Sequence, residues 1–255
     1  MNSLQRLKIF LQSRHVFKNW YIFPSVYFRT AKNSHVIFET KNNFRLKIRT
    51  NSTDIMTLTN VWLMNEYNKQ FQIKKNDLVI DIGAHIGLFS LFASQYSENG
   101  KIFSYEPIKE NFELFSENIN LNKLQNIHAF NSAVSSKNGK IEIFYNDDEA
   151  GHSIFGNNEK NVTVNSISLQ KIFDENKIQC CNFLKIDCEG AEYEIIDSLP
   201  TEYFDKIDKI VIEYHFADSK PELSKKLFSK LENMGFETYS PPHYNDMGLL
   251  YAKKK

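Results

Sequence analysis

An α/β domain built on a mostly parallel sheet is predicted by two features of this chain. From residue 77 onward, short apolar runs of strand length alternate with amphipathic stretches of helix length. The first of these runs leads directly into a glycine-bearing loop, DIGAHIG, at 81 to 87. The runs are DLVID (77 to 81), KIFSYE (101 to 106), NIHAFNSAV (126 to 134), CNFLKID (181 to 187) and KIVIEYH (209 to 215). Helices are expected from Leu88 to Tyr96, from Pro107 to Asn122, from Gly190 to Leu199 and from Pro221 to Met234, on both faces of the sheet. KIEIFYN (140 to 146) and NVTVNSI (161 to 167) read as an inserted strand pair. GFETY (235 to 239) and GLLYA (248 to 252) share an eight-residue loop with no helix, so they should pair antiparallel at the end of the sheet.

Residues 1 to 70 read as an extension packed on a main domain spanning 71 to 255. Within it, Val36 to Thr50 suggests a hairpin turning at Lys41 to Asn43. Thr53 to Tyr67 reads as a helix capped by Ser52 or Thr53. The first 38 residues hold six Lys or Arg and no acid, with Leu4, Leu7, Leu11 and Phe17 at helical spacing. Such a face either packs on the main domain or a second subunit, or makes peripheral contact with an anionic membrane.

Composition narrows the class. With 42% apolar and 14% aromatic residues the chain is neither disordered nor collagen-like, and a mean hydropathy of −0.44 argues against multiple membrane spans. Lys plus Arg and Asp plus Glu are equal at 31 each, so no overall field favours nucleic acid. Cys180, Cys181 and Cys188 lie in one short run without metal-finger spacing. The early hydrophobics are interrupted by Arg6, Lys8, Arg14 and Lys18, which does not resemble a secretory leader. A cytoplasmic protein is expected.

In parallel sheets, ligands bind beyond the carboxyl ends of the strands. The dinucleotide fingerprint needs Gly where this chain has His85, which disfavours NAD and FAD. Gly83 and Gly87 still allow a tight turn, with free N–H groups at the helix start facing a carboxylate, and Asp81 could hold an ammonium directly or through water. Glu106 ends the second run, where a carboxylate accepts hydrogen bonds from ribose hydroxyls. A nucleoside joined to an amino acid meets both requirements, and S-adenosylmethionine is such a molecule.

These residues, with VIDIGAHIGLFSLFAS (79 to 94), IFSYEPIKENFELFSENINLN (102 to 122), NSAVSSKNG (131 to 139) and FLKIDCEGAEYEII (183 to 196), resemble the FkbM family of S-adenosylmethionine-dependent methyltransferases. The resemblance implies a seven-stranded class I methyltransferase fold, Rossmann-like, with an antiparallel last strand. It also implies methyl transfer to oxygen, often on a sugar or natural-product hydroxyl. Carried over by position, Gly83, Ala84 and Gly87 border the methionine part of the cofactor, Glu106 and Pro107 the ribose, and Asn131, Ser132 and Ala133 the adenine. The segment from 145 to 160 would lie over the acceptor.

KIDCEGAE places Asp187 at a strand end, Glu189 in the turn and Glu192 in the following helix. Three acids so close need a cation, a donor network or a shared proton. Asp187, which also borders the cofactor, and His215 are the first candidates for the base that removes a hydroxyl proton. Glu189 stands beside them, Glu213 shares the face of His215, and His152 is a weaker candidate. A divalent metal held by Asp187, Glu189, Glu192 and His215 is possible but not favoured. The reading is therefore an O-methyltransferase acting on a small polar molecule, sugar, glycan or glycolipid. The alternative is a protein that binds S-adenosylmethionine without turnover. SPPHYND (240 to 246) lies before the last strand, outside the clamp position of nucleic-acid methyltransferases, so nucleic acid is not the expected partner.

Overall fold

The computed structural model describes residues 3–145, 152–153, 161–243 and 246–255. The extension comprises α1 (Ser3–Val16), a 3-10 turn (Trp20–Ile22), α2 (Phe23–Tyr27), β1 (His35–Glu39), β2 (Arg45–Arg49) and α3 (Asp54–Leu58). The main domain begins with β3 (Val79–Ile82), α4 (Leu88–Ser94), β4 (Ile102–Tyr105), α5 (Lys109–Asn122) and β5 (Ile127–Phe130). Short strands follow: β6 (Ala133–Val134), β7 (Gly139–Tyr145), β8 (His152–Ser153) and β9 (Asn161–Ile167). The chain then forms α6 (Leu169–Glu175), β10 (Phe183–Asp187), α7 (Glu192–Ser198), α8 (Thr201–Phe204) and β11 (Lys209–His215). It ends with α9 (Pro221–Asn233), β12 (Phe236–Tyr239) and β13 (Met247–Lys254).

Seven strands form the central sheet in the order β12-β13-β11-β10-β3-β4-β5. Neighbours from β11 to β5 run parallel, and β13 is antiparallel to both β11 and β12. This is the sheet that the resemblance implied, with the last strand inserted beside the fifth core strand. The central strands are apolar on both faces because both are covered. Val79, Ile102, Phe183 and Val211 face α4, α5 and the extension. Ile80, Ile82, Leu184, Ile186, Ile210 and Ile212 face the side packed by α6, α7, α8 and α9.

Several elements differ from the sequence reading. The expected third strand, 126 to 134, is broken: β5 edges the large sheet, while β6 joins a second sheet of order β6-β9-β7-β8. The break lies at Asn131, whose side-chain amide donates to the carbonyls of Glu106 and Pro107 at 2.9 and 3.0 Å and turns the chain away. The helix expected to reach Tyr67 ends at Leu63 in a π-helical turn (Thr59–Leu63), marked by Met64 N–H donating to the Thr59 carbonyl at 2.8 Å. Of the two caps expected for its start, Ser52 serves: its Oγ accepts from Asp54 N, and the Thr53 side chain makes no capping bond.

The hairpin β1–β2 forms as expected, but α1 packs through another face. Ile9, Ser13 and Phe17 are buried, with Phe17 ringed against Phe38 at 4.9 Å, whereas Leu7 and Leu11 are more than half exposed. The isolated bridge between Phe17 and Thr40 ties the end of α1 to the hairpin and sets its rotation. Phe10 packs on Phe28, itself exposed, and the Arg14 guanidinium lies over Trp20 at 5.7 Å, so the outward face is both apolar and basic. Among the described residues, no helix is long and apolar enough to cross a membrane. Most of the 145 to 160 segment, and the side chains of Leu4 and His152, lie outside the described residues.

Gly83 joins two strand ends of the sheet. Its φ is +74°, and a Cβ there would lie 1.7 Å from the Asp187 carbonyl oxygen. Gly83→Ala must therefore separate the ends of β3 and β10 and also strain the backbone. We expect a loss of about 3 kcal/mol or more in unfolding free energy, read by denaturant titration; an unchanged midpoint would show that the contact is not needed.

Candidate active site

Alternation along the strands turns Asp81, Lys185, Asp187 and Glu213 to the face covered by the extension. The register places Asp81 opposite Lys185 and Asp187 opposite Glu213. Lys185 Nζ lies 3.2 Å from Asp81 Oδ1 and 3.5 Å from Asp187 Oδ2, and it donates to the Gly83 carbonyl at 2.7 Å. Burial opposes its charge, but Asp81 and Asp187 outweigh burial and hold the ammonium above its ordinary pKa. Asp81 Oδ2 accepts from Ser90 Oγ at 2.6 Å. Asp81 is fully buried and has no surface in the adjoining cavity, so direct contact with a ligand ammonium is unavailable: the cation it meets is Lys185.

That cavity, of about 330 Å³, opens at the carboxyl ends of the strands. Gly83 and Ala84 border it from the glycine loop; Glu106, Pro107 and Ala133 line one end and Lys185, Asp187, Glu189 and Glu213 the other. Of the residues expected at the site, Gly87, Ser132 and His215 are not among those lining it. Gly87, at φ +83°, starts α4 against Phe115, whose ring a Cβ would meet at 1.9 Å. Ser132 Oγ donates to the carbonyls of Ala133 and Asn165, each at 3.1 Å.

The Glu106 carboxylate accepts from the backbone N–H of His85 at 2.8 Å and of Ile108 at 2.9 Å. Burial nevertheless raises its pKa to about 7, against the pull of those donors. Oε1 also accepts from Asn111 Nδ2 at 3.4 Å, so it is Oε2, with His85 N as its one partner, that keeps a lone pair for a hydroxyl in the cavity.

The wall facing the sheet comes from the extension. Thr53, Met56, Thr57, Asn60 and Tyr67 line it. Arg49 secures this wall to the glycine loop: its guanidinium grips Asp54 at 2.8 and 3.0 Å and donates to Asn111 Oδ1 at 2.9 Å and to His85 Nε2 at 3.0 Å. Accepting from Arg49 requires an unprotonated Nε2 on His85. Burial of the ring and repulsion by Arg49 outweigh the pull of Asp54 and lower the His85 pKa to about 4.

At the acidic end, the Tyr67 hydroxyl reaches Asp187 Oδ2 at 2.9 Å and Glu213 Oε2 at 3.2 Å. Glu189, in the left-handed region at φ +52°, brings Oε2 to 3.3 Å from His215 Nε2. Glu192 is turned inward, accepting from Gly190 N at 2.7 Å and His215 N at 2.8 Å, with Oε1 3.3 Å from His215 Nδ1. Burial and the neighbouring carboxylates raise the pKa of Glu213, and burial, with Asp187 and Glu192 opposing His215, brings Glu189 to about 7. For His215, burial acts downward, but the Glu192 hydrogen bond and the surrounding acids raise the ring to about 10. With the site in this state His215 keeps its proton at neutral pH, so the ordinary value near 6.5 that suggested a base does not apply.

Tyr67 and Lys185 were not singled out from sequence. Lys185 alternates with Asp187 in FLKID, a signal that period-two reading could have used. Tyr67 follows an irregular turn and left no pattern.

A parallel sheet with one antiparallel strand inserted near its edge, and an acid-rich cleft beyond its carboxyl ends, defines the methyltransferase class. A model described as Methyltransferase FkbM domain matches residues 81–238, and the chain belongs to that family. It is similar to Methyltransferase 1 of Beauveria bassiana, 23% identical over 207 residues that cover 70% of this chain and 82% of that one. It is also similar to Hexuronic acid methyltransferase AglP of Haloferax volcanii, 21% identical over 61% of this chain and 63% of the relative. Among solved structures, Methyltransferase FkbM from Methylobacillus flagellatus aligns with a TM-score of 0.52 and 14% identity, over 78% of this chain and 53% of that one, a likeness of fold.

The His85 environment has a measurable consequence. Its folded-state pKa of about 4 lies below the usual value near 6.5, so between those values the unfolded chain binds a proton that the folded chain refuses. This contribution to stability is therefore intact above about pH 6.5 and falls as pH drops toward 4. Urea unfolding should show His85→Asn gaining about 1–3 kcal/mol on wild type between pH 7 and 4.5, allowing for screening at the partly exposed ring. Parallel curves for the two proteins would refute this.

Proposed function

We propose that the protein is an S-adenosylmethionine-dependent O-methyltransferase acting on a hydroxyl of a polar molecule of the sugar or sugar-acid class. The observation that carries this is the placement of carboxylates in a single, otherwise largely apolar cavity, with Glu106 at one end and Asp187, Glu189 and Glu213 at the other, bridged by the glycine loop. The donor set fits the cofactor. Glu106 suits a ribose hydroxyl through Oε2, Gly83 and Ala84 present the loop to the amino-acid part, and the acid-rich end favours a sulfonium cation. Asp81 and Lys185 serve from behind by fixing the loop and the ends of β3 and β10. Similarity to a relative named for hexuronic acid supports the acceptor class.

When bound, S-adenosylmethionine supplies an electrophilic methyl carbon: the acceptor oxygen forms the new C–O bond, the C–S bond breaks with its electron pair returning to sulfur, and the hydroxyl proton is left for the protein. Asp187 stands at the end of β10 on the cavity wall and takes that proton, with Tyr67 and Lys185 holding its carboxylate in place. Thr53, Thr57 and Asn60 on the opposite wall offer hydroxyls and an amide to a polyol. Closing both reactants between sheet and extension supplies the larger part of the rate, about 7–11 kcal/mol from positioning against about 10²–10⁴-fold from the base.

The outward face of α1 supports a location for this activity. Exposed Leu7, Leu11 and Phe28 beside Arg6, Lys8 and Arg14 suit an anionic lipid surface, where each basic residue contributes about 1 kcal/mol. The protein should sediment with phosphatidylserine vesicles at low salt and release at high salt, and equal recovery with neutral vesicles would remove this location.

Calorimetry with S-adenosylhomocysteine should give binding near 1:1, and Glu106→Ala should weaken it by about 1–3 kcal/mol. Labelled methyl should pass to members of a panel of sugars and hexuronic acids. No binding by the folded protein would overturn the cofactor assignment; binding without transfer to any acceptor would favour a non-catalytic binding protein.

A further inference from the structure

Asp187, Glu213 and His215 come from the adjacent strands β10 and β11, and each offers one ligand atom such that all three lie within 4.8 Å of one another. In an octahedron with bonds of about 2.1 Å, neighbouring ligand atoms stand about 3.0 Å apart and opposite ones about 4.2 Å. The three groups are therefore within a small side-chain adjustment of a shared ion.

Acid clustering alone would not establish a site; His215 supplies the independent observation. The residue is 5% exposed, and its Nε2 is buried without a hydrogen-bond partner. It approaches Glu189 Oε2 at 3.3 Å and Glu213 Oε1 at 4.0 Å, contacts of ion-pair distance that do not meet hydrogen-bond geometry. Leaving such a nitrogen unmatched is unfavourable, because it has lost its water and gained no partner. The rest of the ring is anchored. Nδ1 lies 3.3 Å from Glu192 Oε1, and Glu192 is itself held by the backbone N–H groups of Gly190 and His215. A carboxylate behind one imidazole nitrogen, with the other turned toward oxygen ligands, is how proteins orient a metal-binding histidine.

We propose that Asp187, Glu213 and His215 bind a divalent cation of the manganese and magnesium class, the ion displacing the proton from the His215 ring to solvent, with Glu189 closing the shell and the remaining positions open to the cavity. Two or three carboxylates with one imidazole match that class, which retains open or water-filled positions. The ligand set differs from the one the local sequence suggested: Glu213 replaces Glu192, which lies behind the histidine. If the methyltransferase reading above holds, the open positions select an acceptor with two adjacent oxygens, a vicinal diol or an α-hydroxy acid. The ion would then lower the pKa of the hydroxyl whose proton Asp187 receives.

Metal-stripped protein titrated with Mn²⁺, followed by calorimetry and by loss of the free-ion electron paramagnetic resonance signal, should bind near 1:1. Glu213→Gln and His215→Ala should each weaken binding at least about tenfold, with folding checked by circular dichroism and thermal unfolding. Glu192→Gln should weaken it about 10–100-fold through the histidine. Folded protein that binds S-adenosylhomocysteine but not Mn²⁺ would overturn the metal site and leave the methyltransferase reading standing. Mn²⁺ binding without S-adenosylhomocysteine binding would do the reverse. Equal Mn²⁺ affinity in wild type, Glu213→Gln and His215→Ala would also overturn the site.

Discussion

The cleft depends on the ion pair between Asp81 and Lys185. Both side chains lie inside a sheet whose strands are otherwise apolar on each face, and both have lost their water. Such a pair is tolerated only when the remaining donors and acceptors are also matched. Ser90 supplies a donor to Asp81, and the carbonyls of Ile82 and Gly83 accept from Lys185. The result is more than a neutralised charge. The lysine draws the glycine loop onto β10 at the point where Gly83 has no side chain to resist it, and it leaves Asp187 at the mouth with a cation behind it.

Beyond that pair the cleft holds an excess of acids. Glu106, Asp187, Glu189 and Glu213 all line one cavity, and the nearby cations are Lys185 and the imidazole of His215. Burial and mutual repulsion raise several of their pKa values, which is the electrostatic sign of a site awaiting positive charge. A sulfonium at one part and a divalent ion at another would each relieve that field. The extension completes the enclosure: Arg49 holds the glycine loop through Asp54, Asn111 and His85, while Tyr67 caps the acids. An active site on the sheet alone would face water along that wall.

Much of this could be seen in the chain itself. Apolar runs of four or five residues separated by helix-length segments determined the parallel sheet, because strands covered on both faces have few other ways to satisfy their surroundings. DIGAHIG, Glu106 and the KIDCEGAE run marked the strand ends where a ligand binds, since polar residues and glycines interrupting buried runs need a local reason. Sequence also determined the hairpin of the extension, through its alternation on either side of Lys41 to Asn43, and the antiparallel closing strand, through its short connection.

Tertiary structure alone decided which acids face the ligand and which sustain the scaffold. Asp81 and Glu192 look as exposed in sequence as Asp187, but cross-strand register gives one to Lys185 and the packing of α7 gives the other to His215. The outward rotation of α1, the break after Phe130 and the arrival of Tyr67 at Asp187 were likewise settled by contacts between distant segments. Periodicity reports which side of its own element a residue occupies; it carries no information about what another part of the chain will place against that side, and here that partner determines each residue's charge and role.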